Sequence, residues 1–133
     1  MKDVEKHIYY NEVIMKLNSP NKNNRIYSTE VAQKIIDDNK ENQIYGGLGI
    51  NKSASLCINP AHISHEILNL KIENNKLIGD IKILKTPCGF RLQHLLNNSV
   101  HLDFRPTGIG QLNSNKVISE YTLISIDAVH DGA

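Results

Sequence analysis

Histidines, hydroxyls and a cysteine lie close together in the middle of the chain, where they could act as metal ligands or catalytic groups. His62 and His65 are three positions apart, and Cys57 precedes them. A structural zinc ion takes four ligands, usually as two closely spaced pairs, and the sequence provides no second pair. We therefore expect no metal, and we interpret the two histidines as a solvated pair.

Another histidine, His101, could be oriented by a neighbouring carboxylate. His101 and Asp103 are two positions apart in a predicted strand, so their side chains share one face. Such a carboxylate can orient an imidazole for proton transfer. Ser99 is close in sequence, but no serine or cysteine clearly lies opposite, and a polar strand face is the simpler interpretation. The segment GIG at 108–110 is too short for a phosphate-binding loop and favours a bend within a sheet.

The composition is that of an ordinary globular protein. Of the 133 residues, 40% are hydrophobic and 22% charged, which suffices for a single domain with its own core over residues 1–133. The net charge is +1 and the charges are interspersed, unlike the basic stripe of a nucleic-acid-binding protein. With no Trp and two Phe, few rings can stack on single-stranded bases. We expect no nucleic-acid partner and no cofactor.

Hydropathy and cysteine content predict the compartment. No apolar run approaches the roughly 18 residues of a membrane span, and the charged start of the chain lacks an apolar signal-peptide core. We therefore expect a cytoplasmic chain without a membrane partner. Cys57 and Cys88 fit this prediction as reduced, small hydrophobic residues, with a disulfide between them as the alternative.

The first half of the chain alternates between strand-like and helical segments. Residues 7–17 are rich in β-branched and aromatic types and predict a strand. A helix follows, with Ser28 or Thr29 as its N-cap, and it fades in the polar residues 37–42. Residues 43–50 predict a strand loosened by three glycines, where two backbones approach closely.

The second half predicts two pairs of strands with a short helix between them. Residues 63–73 and 76–84 flank Asn74-Asn75, which is typical of a hairpin turn because Asn tolerates positive φ. The segment 86–89 then breaks the sheet, and a short apolar helical face runs over 90–96. Two further strand-like segments follow the helix: 100–112, interrupted at Pro106, and 116–129.

These elements define the expected fold. About six or seven strands with two or so short helices predict an α+β protein, a mostly antiparallel β-barrel or sandwich with the helices packed outside. From the residues alone, the prediction ends at a soluble α+β domain.

Five short segments follow one another in a specific order. They are NKNNRIY at 21–27, the turn at 74–75, ILKTPCG at 83–89, Arg105 with GIG at 108–110, and SIDAV at 125–129. In order and spacing, over roughly residues 8–131, the chain resembles the prohead proteases of tailed phages. The corresponding family motifs are N-x-N-x-R-x-Y, I-L-x-T-P-x-G, S-S-R-G-x-G and x-x-D-A-V.

The resemblance implies a fold and a chemistry. It implies a herpesvirus-assembly-protease-like β-barrel with surrounding helices, and a serine protease whose Ser, His and Asp share one site. In such a site an imidazole removes the proton of the hydroxyl, and a third group holds the imidazole in place.

The resemblance places one of the three catalytic residues in this chain. Asp127 matches the aspartate of the D-A-V motif. The family histidine lies in a G-E-L-x-H-P segment, matched here by residues 49–54, and its position is occupied by Ser53. The nucleophile position falls on Phe104 when the segments are aligned on the arginine, and on Pro106 when they are aligned on the glycines. A carboxylate that caps backbone amides is the simpler interpretation of Asp127.

Other residues could rebuild a site. The resemblance places Arg105, Gly108 and Gly110 in the oxyanion region. Thr107 is the hydroxyl nearest to the nucleophile position. The candidates for a replacement base are His62 and His65, and those for a replacement nucleophile are Ser53, Ser55 and Cys57.

The loss of a base or a nucleophile alone lowers the rate of a serine protease on the order of 10⁶-fold. We therefore expect a degenerate protease, a non-catalytic structural or assembly protein that contacts other phage proteins in the head, neck or tail. It would be oligomeric, present in the host cytoplasm during assembly and then in the virion. One alternative is an active prohead protease with a rebuilt site, and another is a regulator that binds a peptide without cleaving it.

Overall fold

A computed structural model of the chain describes residues 7–21, 24–49 and 60–130. Its elements are β1 (Ile8–Lys16), β2 (Ile26–Tyr27), α1 (Thr29–Asp38), β3 (Ile44–Gly47), a 3₁₀ turn (Pro60–His62), β4 (Ile63–Glu73), β5 (Lys76–Ile83), α2 (Pro87–Asn97), β6 (Leu102–Leu112) and β7 (Val117–His130). The predicted α+β class, the number of strands and the two helices are confirmed. Neither helix of the described ranges is long and apolar enough to cross a membrane.

The strands form two sheets. The first sheet has the order β1-β5-β4-β3 and is antiparallel throughout, and the second has the order β2-β7-β6. In the second sheet β6 and β7 are antiparallel, whereas β2 runs parallel to β7. A parallel bridge between Leu48 and Ala128 joins the end of β3 to β7, so the two sheets meet at this junction.

The prediction of a closed barrel is wrong for the part of the chain that the structure describes. The outer strands β1 and β6 pack near each other, but no ladder of hydrogen bonds joins them. A cavity of about 540 Å³ lies between them instead. Register shifts interrupt β1 between Tyr9 and Glu12 and between Val13 and Met15, and such bulges bend a strand out of a regular ladder. On this side β1 and β6 therefore face each other across the cavity rather than through a ladder.

The first helix begins and ends as its sequence indicates. The Ser28 hydroxyl accepts a hydrogen bond from the Val31 amide at 3.2 Å, so Ser28 is the N-cap. Ala32 and Ile35 are buried against the sheets on the inner face of the helix. Asn39 follows the last turn and donates its side-chain amide to the Ile35 carbonyl at 2.8 Å.

The β4–β5 hairpin is confirmed, with Asn74 and Asn75 at φ of 51° and 59°. The second helix begins earlier than predicted, at Pro87. The Thr86 hydroxyl caps it by accepting from the Gly89 amide at 2.9 Å, and a proline in the first turn needs no hydrogen-bond partner for its nitrogen. The residues predicted to break the sheet therefore also start the helix.

The predicted interruption at Pro106 is wrong, since β6 runs through it without a break. This is possible because β6 is an outer strand, where the missing N–H of proline breaks no ladder. The core between the two sheets and the helices includes Ile35, Ile81, Leu92 and Ile126, each almost fully buried.

Candidate active site

The interpretation of His62 and His65 as a solvated pair is wrong for His65, whose imidazole is fully enclosed at the junction of the two sheets. Its Nε2 lies 2.6 Å from the Ile126 carbonyl oxygen, and its Nδ1 lies 2.7 Å from the Ser64 hydroxyl. A carbonyl oxygen only accepts hydrogen bonds, so Nε2 carries the proton and Nδ1 accepts from Ser64. The His65 and Phe104 rings pack in a T-shaped arrangement, with 5.2 Å between the ring centroids.

Burial makes His65 a weak base. The loss of solvation lowers its pKa to about 4, against the smaller opposing effects of the Ile126 carbonyl and the Asp127 carboxylate. At neutral pH the ring is therefore uncharged. A general base is most effective when its pKa lies near the working pH, which this ring does not satisfy.

Gly46 makes room for the histidine. A Cβ atom at this position would overlap both the Ile126 carbonyl oxygen and His65 Nε2. Only glycine lets β3 lie against this hydrogen bond. The close backbone approach predicted for the glycine-rich strand is thus confirmed at Gly46.

The carboxylate of Asp127 is also buried, with 1% of its surface exposed. One oxygen accepts from the Gly47 amide at 2.9 Å. The other accepts from the Thr107 hydroxyl at 2.6 Å and from the Ser125 hydroxyl at 3.1 Å. The capping of a backbone amide, weighed above as the simpler role of Asp127, is present in this geometry.

Five polar residues thus lie at the junction of the sheets in two hydrogen-bonded groups, and we call them together the junction cluster: Ser64 with His65, and Thr107 and Ser125 with Asp127. The alternation of β7 turns Ser125 and Asp127 to the same face, and Thr107 lies opposite Ser125 in the β6–β7 ladder. Thr107 is the half-buried member, and the other four have at most 1% of their surface exposed.

Thr107 lies beside a second cavity, of about 470 Å³. Tyr121 and Tyr27 form part of its wall, with their rings edge to face and 5.6 Å between centroids. Burial raises the pKa of the Tyr121 hydroxyl, which stays protonated at any physiological pH. A Cβ at Gly108 or Gly110 would collide with Tyr121 or its neighbouring backbone, so both glycines allow this packing.

Three hydroxyls of the junction cluster have a polar side-chain partner, and that of Ser125 is fully buried against Asp127. Ser64 contacts an imidazole, but both side chains are fully buried and a substrate cannot reach them. Thr107 borders a cavity, but its partner is a carboxylate rather than an imidazole. The hydroxyl–imidazole contact of the junction cluster is therefore closed to a substrate.

The remaining candidate residues are dispersed. Phe104 is buried against His65. Arg105 lies 3.4 Å from Asp103, and its Nε is buried without a hydrogen-bond partner. Pro106 lines both cavities. His62 is exposed on the 3₁₀ turn.

His101 contacts the Asp103 carboxylate at 3.2 Å on the surface, as the polar strand face predicted. Ser53, Ser55 and Cys57 lie outside the described residues. Cys88 is free. The described ranges contain no group of three or more His, Cys, Asp or Glu residues that could hold a metal ion.

Sequence reasoning missed Ser64 and Ser125. Ser125 could have been found from its position two residues before Asp127 in a strand, which places both on one face. Ser64 gave no comparable signal, because neighbouring residues of a strand normally point to opposite faces.

A solved structure, that of the bacteriophage T4 capsid assembly protease gp21, has the same fold. The match has a TM-score of 0.76 over 88% of this chain and 78% of that chain, at 19% sequence identity. The likeness is one of fold. No protein-family model and no curated protein sequence matches this chain.

Proposed function

We propose that this protein is a non-catalytic component of phage assembly, built on the prohead-protease fold and acting through contacts with other phage structural proteins. The fold it shares with a capsid assembly protease supports the phage context. It would meet its partners in the host cytoplasm and remain in the head, neck or tail of the virion.

The observation that carries the proposal is the closed state of the junction cluster. Both nitrogens of His65 and both oxygens of Asp127 are engaged with internal partners. The positions that match the family nucleophile hold Phe104 and Pro106, which have no hydroxyl or thiol. Catalysis by a triad needs an accessible hydroxyl bonded to an imidazole whose other nitrogen is held by a carboxylate. Here Ser64 and His65 are fully buried, and the second nitrogen of His65 is held by the Ile126 carbonyl. The cluster instead ties β3, β4, β6 and β7 together, which suits a fold retained for assembly.

A rebuilt protease is the second candidate, and one contact favours it. The Thr107 hydroxyl borders a cavity and donates to a carboxylate at 2.6 Å, so it is the one member of the cluster that a peptide could approach. As nucleophile it would depend on Asp127 as base. In this candidate the same chain would cleave scaffold or capsid proteins.

A single experiment distinguishes the two candidate functions. The full chain would be incubated with the capsid and scaffolding proteins of the phage that encodes it, and mature particles would be analysed by quantitative mass spectrometry. The assembly role predicts no cleavage and an intact chain at a fixed ratio to the major capsid protein. Cleavage that one substitution, Thr107→Val, abolishes would overturn it.

A further inference from the structure

The cavity beside Thr107 has the size and the lining of a small-molecule pocket. Its volume of about 470 Å³ lies within the range of such pockets. Ligand pockets are mostly apolar, with a few polar groups that orient the ligand. The apolar side chains of the wall are Pro106, Ile109, Leu112 and Ile118. Arg25 also lines this cavity, which we call the Arg25 pocket.

Arg25 gives the pocket a positive charge. Its side chain is exposed, and no carboxylate of the described residues lies within ion-pair distance of its guanidinium. None of the described residues that line the pocket is acidic. The planar guanidinium donates paired hydrogen bonds that match the two oxygens of a carboxylate or phosphate. The pocket therefore favours an anionic ligand over a neutral or cationic one.

The Tyr27 hydroxyl supplies a second donor in the same pocket. Burial raises the pKa of Tyr27 and of Tyr121, and the positive charge of Arg25 opposes this rise in both, so the guanidinium lies near both hydroxyls. The hydrogen bond between the two hydroxyls lowers the pKa of Tyr27 and raises that of Tyr121, which makes Tyr121 the donor. The proton of the Tyr27 hydroxyl therefore remains available for a ligand.

The buried Asp127 limits the charge that the pocket can accept. Its carboxylate lies behind Thr107, whose hydroxyl donates to it at 2.6 Å, so Thr107 has no proton left for a ligand. The negative charge of Asp127 also acts on Tyr121, one of the residues of the pocket wall. One arginine facing the ligand and one carboxylate behind the wall suit a singly charged anion better than a phosphate dianion.

We propose that the Arg25 pocket binds a small carboxylic acid with an apolar body. The carboxylate pairs with Arg25 and accepts from the Tyr27 hydroxyl, and the apolar body covers Ile109 and Leu112. These two apolar side chains are 54% and 49% exposed, so their contact with the ligand removes apolar surface from water. An apolar residue at the end of a peptide chain and a free aliphatic acid share this chemistry.

NMR titration of the full ¹⁵N-labelled chain tests the proposal with two acids, N-acetyl-leucine and hexanoate, and with N-acetyl-leucinamide as the uncharged control. Each acid should shift the amide signals of Arg25, Gly108 and Gly110 in a saturable way, with a Kd on the order of 1 mM for ligands of this size. The amide should bind at least tenfold more weakly. Tighter binding of N-acetyl-leucine assigns the ligand to a peptide end, and tighter binding of hexanoate assigns it to a free acid. Either order supports carboxylate recognition.

Substitutions test the two donors. Arg25→Gln should raise the Kd of N-acetyl-leucine at least tenfold, and Tyr27→Phe should raise it about three- to tenfold, because each removes a hydrogen bond to a charged group. Arg91→Gln is the matched control, since Arg91 is an exposed arginine of α2, and it should change the Kd less than twofold. Circular dichroism and the ¹⁵N spectrum of each variant show whether it is folded.

Four results would overturn the proposal. They are the absence of a saturable shift with both acids, equal binding of the acid and its amide, an unchanged Kd in the Arg25→Gln chain, and tighter binding of inorganic phosphate than of either acid. None of these measurements depends on cleavage, so their outcome is separate from that of the proposed non-catalytic function.

Discussion

The Thr107 hydroxyl donates to the Asp127 carboxylate at 2.6 Å across the β6–β7 ladder. This contact joins a buried carboxylate of β7 to a threonine of β6 that borders a cavity. The same carboxylate holds the Gly47 amide of β3, so it links both sheets. Its hydrogen bonds are those of a buried structural anchor.

Removal of the Asp127 carboxylate should lower the unfolding free energy substantially. Asp127→Ala leaves the Gly47 amide and two hydroxyls without an acceptor inside the protein, and we expect a loss of about 3 kcal/mol of unfolding free energy. Asp103→Ala, which removes a half-exposed carboxylate from the same pair of strands, should cost less than about 1 kcal/mol. Urea denaturation of both variants measures the difference. Equal losses of unfolding free energy would mean that the buried hydrogen bonds of Asp127 stabilise the fold no more than the contacts of Asp103 do.

Substitutions at Thr107 that keep or remove its hydroxyl test the contribution of the hydrogen bond to Asp127. Thr107→Val should lower the unfolding free energy by about 1 to 2 kcal/mol, because Asp127 loses a charged hydrogen bond, whereas Thr107→Ser should retain most of it. Thr122→Val, at an exposed position of β7, is the matched control and should change stability by less than about 0.5 kcal/mol. If the serine and valine variants are equally unstable, the methyl packing of Thr107 matters more than its hydrogen bond.

Local patterns predicted the elements but not how they meet. The hairpin at Asn74-Asn75 and the cap at Ser28 were predictable because each depends on neighbouring residues. The gap between β1 and β6 was not, since the pairing of two strands so far apart in sequence is not determined by neighbouring residues. His65 could not be distinguished from His62 by type or spacing. One is buried and the other exposed because only His65 lies in the paired part of β4, opposite Gly46.

The buried histidine should make stability depend on pH. Its pKa is about 4 in the folded chain and 6.5 in the unfolded chain, so the unfolded state binds more protons between these values. The stabilising contribution is complete above pH 6.5 and is lost as the pH falls toward 4. The difference corresponds to about 3 kcal/mol, at 1.36 kcal/mol per pH unit.

Denaturation curves measured at a series of pH values check this expectation. His65→Gln should be less stable at pH 7, because the amide cannot reproduce both hydrogen bonds of the ring, and its stability should fall less steeply on acidification. His62→Gln is the matched control, since that histidine is exposed and its removal should leave the slope unchanged. A His65→Gln variant with the natural slope would contradict the assignment of this acid sensitivity to His65.

Asp80 of β5 accepts hydrogen bonds from a bulge in each of the two neighbouring strands, β1 and β4. It accepts from the Asn11 amide at 3.0 Å and from the Asn69 side chain at 2.9 Å, and these hydrogen bonds, led by that of Asn69, lower its pKa. Asn11 and Asn69 both have positive φ, at 57° and 56°. One carboxylate thus fixes a left-handed residue on each neighbouring strand.

This arrangement predicts that one substitution at the exposed position 11 is tolerated and that another is destabilising. Asn11→Gly should leave the unfolding free energy within about 0.5 kcal/mol, because glycine adopts positive φ without strain and keeps the amide that Asp80 accepts. Asn11→Val should cost about 1 to 2 kcal/mol, since a β-branched residue is strained at positive φ. Thermal denaturation of both variants, with Tyr10→Val as a control at the neighbouring exposed position, measures the contrast. If Asn11→Gly and Asn11→Val are equally destabilised, the Asn11 side chain rather than its backbone conformation stabilises the bulge.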